Sequence, residues 1–149
     1  MRYLTPHNKW SIHSEYQDNL LMLSLSRGGP TCWMSPADAD AIGAKDNEWI
    51  ECSNANGIFV ARAIVSHRMP EGVVFVHHAQ ERTIDVPKTE KTRRRGGGIH
   101  NSVTRLLVKP THLIGGYAQL SYAFNYLGPT GNQRDIVATI RRRSQDVEY

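Results

Sequence analysis

The chain has 149 residues, 40% apolar and 21% charged, with a net charge of +4. That is the size of one ordinary domain with enough apolar content for a real core, and it excludes wholesale disorder. No apolar run approaches the ~20 residues of a membrane span, and the opening Met1-Arg2-Tyr3-Leu4-Thr5-Pro6 lacks the apolar core of a secretory signal.

Strand signals outnumber helix signals along the chain. The clearest helix is Ser35 to Gly43: Ser35 suits the N-cap, Pro36 the first helical position and Asp38 the positive end, and Gly43 suits a left-handed close. Asp46-Asn47 predicts a turn, and Trp49 to Ser53 alternates as a half-buried strand does. Asn56-Gly57 predicts a two-residue hairpin turn of type I′, with positive φ at both centres. The return strand Ile58 to Val65 is nearly continuous in apolar residues, which predicts burial on both faces. Met69-Pro70-Glu71-Gly72 predicts a turn and Val73 to Val76 a short strand. Residues 79–99 are polar and basic and end in Gly96-Gly97-Gly98, so they predict a long loop. Val103 to Val108 and Ile136 to Ile140 predict further strands, with Gly115-Gly116 a break and Tyr117 to Tyr126 an aromatic-rich stretch between them. Many short strands, one capped helix and tight turns predict a mainly β barrel or sandwich with helical decoration. No repeat or linker divides the chain, so residues 1–149 read as a single domain. Its abrupt start on structured sequence predicts a fragment of a larger subunit.

The two cysteines, Cys32 and Cys52, form no CxxC pair and so give no disulfide framework, zinc ribbon or iron–sulfur ligation pattern. They read as small buried residues. The basic excess sits in residues 88–95 and in Arg141-Arg142-Arg143. Such runs are usually solvated loops or tails, with nucleic-acid or membrane binding the minority reading and cofactor phosphates or a partner surface a third.

Seven histidines are the most unusual polar feature, yet none has the close pairing of a metal site. His77 and His78 are adjacent and, on a strand, would point to opposite faces. No nucleophile elbow, paired acid/base carboxylates, dinucleotide fingerprint or phosphate loop occurs. What remains is a set of donors beside glycines: His7, His13-Ser14, His78-Ala79-Gln80, Gly96-Gly97-Gly98-Ile99-His100-Asn101-Ser102 and Gly115-Gly116-Tyr117. Imidazoles, amides and backbone N–H groups next to glycine suit a large polar heterocycle carrying a pyrophosphate. Each alone is more often structural.

The stretch Ser35-Pro36-Ala37-Asp38-Ala39, Ile42-Gly43-Ala44-Lys45-Asp46-Asn47-Glu48-Trp49-Ile50-Glu51, Asn54-Ala55-Asn56-Gly57 and Met69-Pro70-Glu71-Gly72-Val73 resembles the molybdopterin-dinucleotide-binding domain of the dimethyl sulfoxide reductase superfamily. The pattern there is P-x-D-A, L-G-x-x-D-G-D-x-V-E-V, N-x-x-G and P-G-x-V; this chain departs at Asn47-Glu48 and at Glu71, all turn positions. Leu4-Thr5-Pro6-His7-Asn8-Lys9-Trp10-Ser11-Ile12-His13-Ser14, His78-Ala79-Gln80-Glu81-Arg82, Gly97 to Arg105 and Pro110 to Tyr117 resemble the C-terminal part of respiratory nitrate reductase alpha subunits. The resemblance covers nearly the whole chain.

It implies a double-psi β-barrel with short helices and a long basic loop. It implies a bis(molybdopterin guanine dinucleotide) molybdenum cofactor used to reduce nitrate to nitrite, with the iron–sulfur cluster and the carboxylate on molybdenum supplied by earlier domains. By motif, His7 and His13 would face one pyranopterin and His78 and His100 the other, with Ser14, Asn101 and Ser102 as lesser contacts. His67, His77 and His112 take no role, and His67 reads as a surface residue. No residue here is implied as catalytic or metal-ligating, so the domain alone is expected to be inactive. The implied partners are the remaining domains of the subunit, an iron–sulfur beta subunit and a membrane gamma subunit, on the cytoplasmic side of the membrane; no nucleic acid or direct membrane span is implied. Two other readings stand beside this. A basic β-barrel holding nucleic acid would need aromatics interleaved with the arginine runs, which are lacking. A decarboxylase-type barrel would need a Gly-Ser cleavage site, and there is none.

Overall fold

The computed structural model describes residues 1–13, 15–78, 80, 97–104, 136–145 and 147. Of the expected strand Val103 to Val108, Val103 and Thr104 form a turn instead; its remainder, the Gly115-Gly116 break, the aromatic stretch 117–126, His112, Ser14 and most of the basic loop lie outside the described residues.

Among the described residues seven strands form one sheet: β1 (Arg2–Leu4), β2 (Thr31–Met34), β3 (Trp49–Ser53), β4 (Ile58–Val65), β5 (Val73–Phe75), β6 (Ile136–Val137) and β7 (Thr139–Arg142), in the order β6-β1-β5-β2-β4-β3-β7. Strand β6 pairs antiparallel with β1, and β7 pairs antiparallel with β3. Only Ala138 separates β6 from β7, so the two edges of the sheet are joined by one extended stretch and the sheet curls into a nearly closed barrel. The expected final strand is thus two short strands. Ala138 N–H bonds Met1 O at 2.9 Å and its side chain is buried.

Strands β3 and β4 match the expected ranges, and alternation explains why. On β3 the buried residues are Ile50 and Cys52, whereas β4 buries Ile58, Phe59, Val60 and Ala61 in succession. Neighbours on both sides make β4 central: β2 runs parallel to it and β3 antiparallel. Cys32 and Cys52 are fully buried with their sulfurs 3.9 Å apart, where thiols behave as small apolar groups. The hydrogen bond with the Cys52 thiol, reinforced by burial, holds the Cys32 pKa well above its ordinary value.

The helix α2 (Pro36–Ala41) starts as its sequence dictates. Ser35 Oγ accepts the Asp38 N–H at 3.1 Å, and Gly43 closes the helix with φ +66°. Asp38 Oδ2 also accepts the Gly72 N–H at 2.9 Å, which ties the helix to the turn before β5. A second helix, α1 (Leu20–Leu23), is a single turn capped by Asn19, and it buries nothing. The sequence carried no separate signal for it.

Two turns refine the sequence reading. Asn47 adopts φ +68°, the left-handed conformation that asparagine tolerates best after glycine, which explains how it stands where the resembled pattern has glycine. Asn56-Gly57 does not form the expected type I′ turn, since neither residue has positive φ. Strands β3 and β4 are instead joined by the four residues 54–57, and Asn54 Oδ1 accepts the Asn56 N–H at 2.9 Å in a side-chain turn. Gly57 is required for another reason: a Cβ there would lie 2.6 Å from the Ser102 carbonyl oxygen.

The arginine run at 141–143 is strand and its continuation, not a solvated tail. Arg142 pairs with Glu48 at 2.9 Å, and Arg143, with a side chain only 2% exposed, pairs with Glu51 at 2.5 Å. Both partners lie on or beside β3, so this charge fastens the barrel closure. Of the three arginines Arg143 is buried, whereas Arg141 and Arg142 remain exposed on the strand.

Candidate functional site

The histidines expected from the sequence converge at one end of the barrel, and register does most of it. Strands β1 and β5 are parallel with Leu4 opposite Phe75, so His7 and His78 each lie three residues beyond a matched pair. The pairing continues past the strands: Val76 N–H bonds Leu4 O at 2.9 Å and His78 N–H bonds Pro6 O at 3.1 Å. The two imidazoles meet with His78 Nε2 2.8 Å from His7 Nδ1. One ring of that pair must therefore donate and the other accept.

His13 joins from the loop after β1 with φ +51°, its ring stacked on His78 at 5.1 Å and edge-on to His7 at 6.1 Å. His100, on the 3-10 turn His100–Ser102, stands 6.3 Å from His78. His7 and His13 are exposed, while His78 and His100 are half-buried. Burial, reinforced by the nearby His78, lowers the His100 pKa from 6.5 to about 4, so this imidazole is neutral at neutral pH. Its Nδ1 is buried with no hydrogen-bond partner among the described residues.

Asn101 and Ser102 are spent mainly within the turn. Asn101 Oδ1 accepts from Thr104 Oγ1 at 3.0 Å, and Ser102 Oγ accepts the Ile99 N–H at 3.0 Å. Ser14 lies outside the described residues. His77 and His78 do face opposite ways: His77 packs 5.3 Å from Phe75 and 6.2 Å from Trp33, and burial lowers its pKa. His67 is exposed.

Sequence reasoning missed two features. Trp33 and Phe75 stack at 5.5 Å on the wall of a groove of about 1370 Å³ between the sheet and residues 8–30. Their pairing across β2 and β5 leaves no local signal. Tyr3, Asn54 and Asn56, which bond the carbonyls of His100 and Val103, were also missed, although the Asn54-x-x-Gly57 spacing marked where the two asparagines lie.

An imidazole can both donate and accept hydrogen bonds, as the ring atoms of a pterin-like heterocycle do, and His7 and His78 already use one nitrogen each on the other. The partnerless His100 Nδ1 is the kind of buried polar atom that a ligand satisfies. Among the described residues no group of three or more His, Cys, Asp or Glu is arranged to hold a metal ion. These residues fit a molybdopterin cofactor through its organic part.

Comparison with known proteins agrees. The family profile described as "Molydopterin dinucleotide binding domain" matches residues 1–120. The chain is 69% identical over 149 residues to the nitrate reductase alpha subunit of Mycobacterium tuberculosis, covering all of this chain and 12% of that protein. It is 56% identical over 142 residues to the respiratory nitrate reductase 1 alpha chain of Escherichia coli, covering 95% of this chain and 11% of that one. The perchlorate reductase alpha subunit of Dechloromonas aromatica is 38% identical over 141 residues, covering 95% of this chain and 14% of that one. Among solved structures, the acetylene hydratase of Pelobacter acetylenicus superposes with a TM-score of 0.59 at 16% identity, over 96% of this chain and 18% of that one. At that identity the likeness concerns the fold alone, and it supports the mainly β barrel. The chain spans about an eighth of the length of its nitrate reductase relatives. It belongs to the molybdopterin dinucleotide-binding domain family.

Proposed function

We propose that this chain is the cofactor-closing domain of a respiratory nitrate reductase catalytic subunit, helping to hold bis(molybdopterin guanine dinucleotide) molybdenum while nitrate is reduced to nitrite. The observation that carries the reading is the 69% identity across all 149 residues to a nitrate reductase alpha subunit, against 38% to a perchlorate reductase alpha subunit. When bound, the cofactor supplies the two-electron oxygen-atom transfer. The residues of this chain supply binding and orientation. His7, His13, His78 and His100 contact the pyranopterin edges, and their spacing favours one continuous surface over two separate pairs. Neutral His100 offers Nδ1 to a ring atom without adding charge beside the cofactor.

The exposed apolar residues support a domain that is one part of a longer subunit. Trp10, Ile12, Tyr16, Leu20, Leu21, Leu23 and Leu25 are all exposed within one segment, and the only other large apolar residue exposed among those described is Val137. Patches of that kind mark interaction surfaces. The segment is assigned to the remaining domains of the subunit; an iron–sulfur beta subunit and a membrane gamma subunit complete the assembly, held at the cytoplasmic side of the membrane. No helix among the described residues is long and apolar enough to cross a membrane.

The test uses the full-length subunit carrying alanine at His7, His13, His78 and His100. The expected result is a folded protein with reduced molybdenum content and reduced nitrate reduction. Full molybdenum occupancy with unchanged activity would sink the assignment. Elemental analysis of the 149-residue chain alone should find no stoichiometric molybdenum, because one domain forms only part of the cleft.

A further inference from the structure

The turn that carries His100 has little sheet pairing to hold it. Its upstream side is tied to β4 by one backbone bond, from Val60 N–H to Gly97 O at 2.7 Å. Both ends of the turn are instead gripped by side chains from elsewhere. At the first end, Tyr3 donates its hydroxyl to the His100 carbonyl oxygen at 3.1 Å, from a fully buried position in β1. At the far end, the Val103 carbonyl oxygen accepts two amide donors, Asn54 Nδ2 at 2.7 Å and Asn56 Nδ2 at 3.1 Å. A carbonyl has two lone pairs, so this acceptor is saturated.

The Asn54 amide is fixed in turn, since its Oδ1 accepts the Asn56 backbone N–H at 2.9 Å. Glycines permit the close fit. A Cβ at Gly57 would lie 2.6 Å from Ser102 O, and one at Gly98 would lie 2.2 Å from Ile58 O. A single helical turn held at both ends by directional bonds has little freedom to rotate, and its rotation decides where the His100 ring points.

We propose that Tyr3, Asn54 and Asn56 are positioning residues, which aim the His100 imidazole at the cofactor by gripping the carbonyls of His100 and Val103. This rests on the reading of His100 as a cofactor contact. Among the described residues none of the three has a hydrogen bond to an imidazole ring, so each acts through the turn. It also assigns a task to the Asn54-x-x-Gly57 spacing: the asparagine grips the turn, and the glycine lets the turn sit close.

The experiment is a mutant cycle in the cofactor-loaded full-length subunit, read by the molybdenum midpoint potential from an electron paramagnetic resonance redox titration and by molybdenum content. The variants are Asn54→Asp, Asn56→Asp and Tyr3→Phe, alone and combined with His100→Gln. Asn54→Asp keeps the Oδ1 acceptor of the hairpin while removing the donor; Tyr3→Phe keeps the buried ring and removes only the hydroxyl. Each single variant is expected to shift the potential in the same direction as His100→Gln. In the double variants the shifts should not add, because both changes disturb one contact. Variants that lower thermal stability but leave the potential unmoved would overturn the proposal, as would fully additive shifts. Should His100→Gln alone leave potential and molybdenum content unchanged, the contact reading fails and the proposal falls with it. If Asn54→Asp does not fold, Asn56→Asp and Tyr3→Phe decide the matter by the same cycle.

Discussion

The wall made by β2, β3 and β4 and the histidine cluster beyond β1 and β5 are held by different forces. In the wall, backbone ladders run on both sides of β4, and Phe59, Val60, Ala61 and Ala63 are buried almost completely. In the cluster, two of four imidazoles are exposed, and the loops are held by single backbone bonds and side-chain caps. The apolar driving force sits in the first region and the polar specificity in the second. Substitutions in the wall should therefore change stability, and substitutions in the cluster should change binding with the barrel intact. The Arg143–Glu51 pair strengthens the wall further, because it fastens β7 to β3 and closes the sheet.

The sharpest way to break this contrast is at Phe59, which is 1% exposed. Phe59→Ala should cost about 3–5 kcal/mol, the usual price of truncating a buried aromatic, seen as a large drop in the midpoint of denaturant unfolding. A loss within experimental error would mean that the wall is not the core.

Gly98→Ala tests the seam between the regions. Its φ of +75° and the 2.2 Å approach to Ile58 O both oppose a side chain. The expected cost is about 2–3 kcal/mol, with hydrogen exchange in the 97–104 turn accelerated more than in β3 and β4.

A smaller effect comes from pH. His100 has its pKa lowered from 6.5 to about 4 in the folded chain, chiefly by burial. The unfolded chain thus binds the extra proton first as pH falls, so this contribution to stability is complete above pH 6.5 and is lost progressively toward pH 4. Unfolding midpoints measured across that window should slope less steeply in His100→Asn; an identical slope would show that another group is responsible.

The smallest effect belongs to the exposed rings. His7→Ala should alter the stability of the chain by no more than about 0.5 kcal/mol, by thermal unfolding. A larger loss would make His7 part of the core and erase the distinction between the two regions.

Much of the wall was legible because its signals are short-range. Alternation delimits Trp49–Ser53, a continuous apolar run delimits Ile58–Val65, and Ser35-Pro36 with Gly43 brackets α2. The choice of His7, His13, His78 and His100 came from resemblance to a known family, since spacing alone left each of them more often structural. Two segments were harder to read. Asn56-Gly57 carries the composition of a type I′ turn, but its glycine answers a close approach by Ser102, a contact from 45 positions along the chain (102 − 57). Arg141-Arg142-Arg143 has the look of a solvated tail, but Glu48 and Glu51 lie within reach only once β7 pairs with β3.

By itself the sequence determined the central strands, the capped helix, the burial of both cysteines and the set of histidines from which a site could be built. Only the tertiary structure decided that those histidines form one cluster, that the sheet closes through the β6–β7 stretch, and that Tyr3, Asn54 and Asn56 seat the His100 turn. The physical reason is range. Caps and alternation are settled by neighbours a few residues apart, whereas His7 and His78 meet across 71 positions only because parallel β1 and β5 pair in one register.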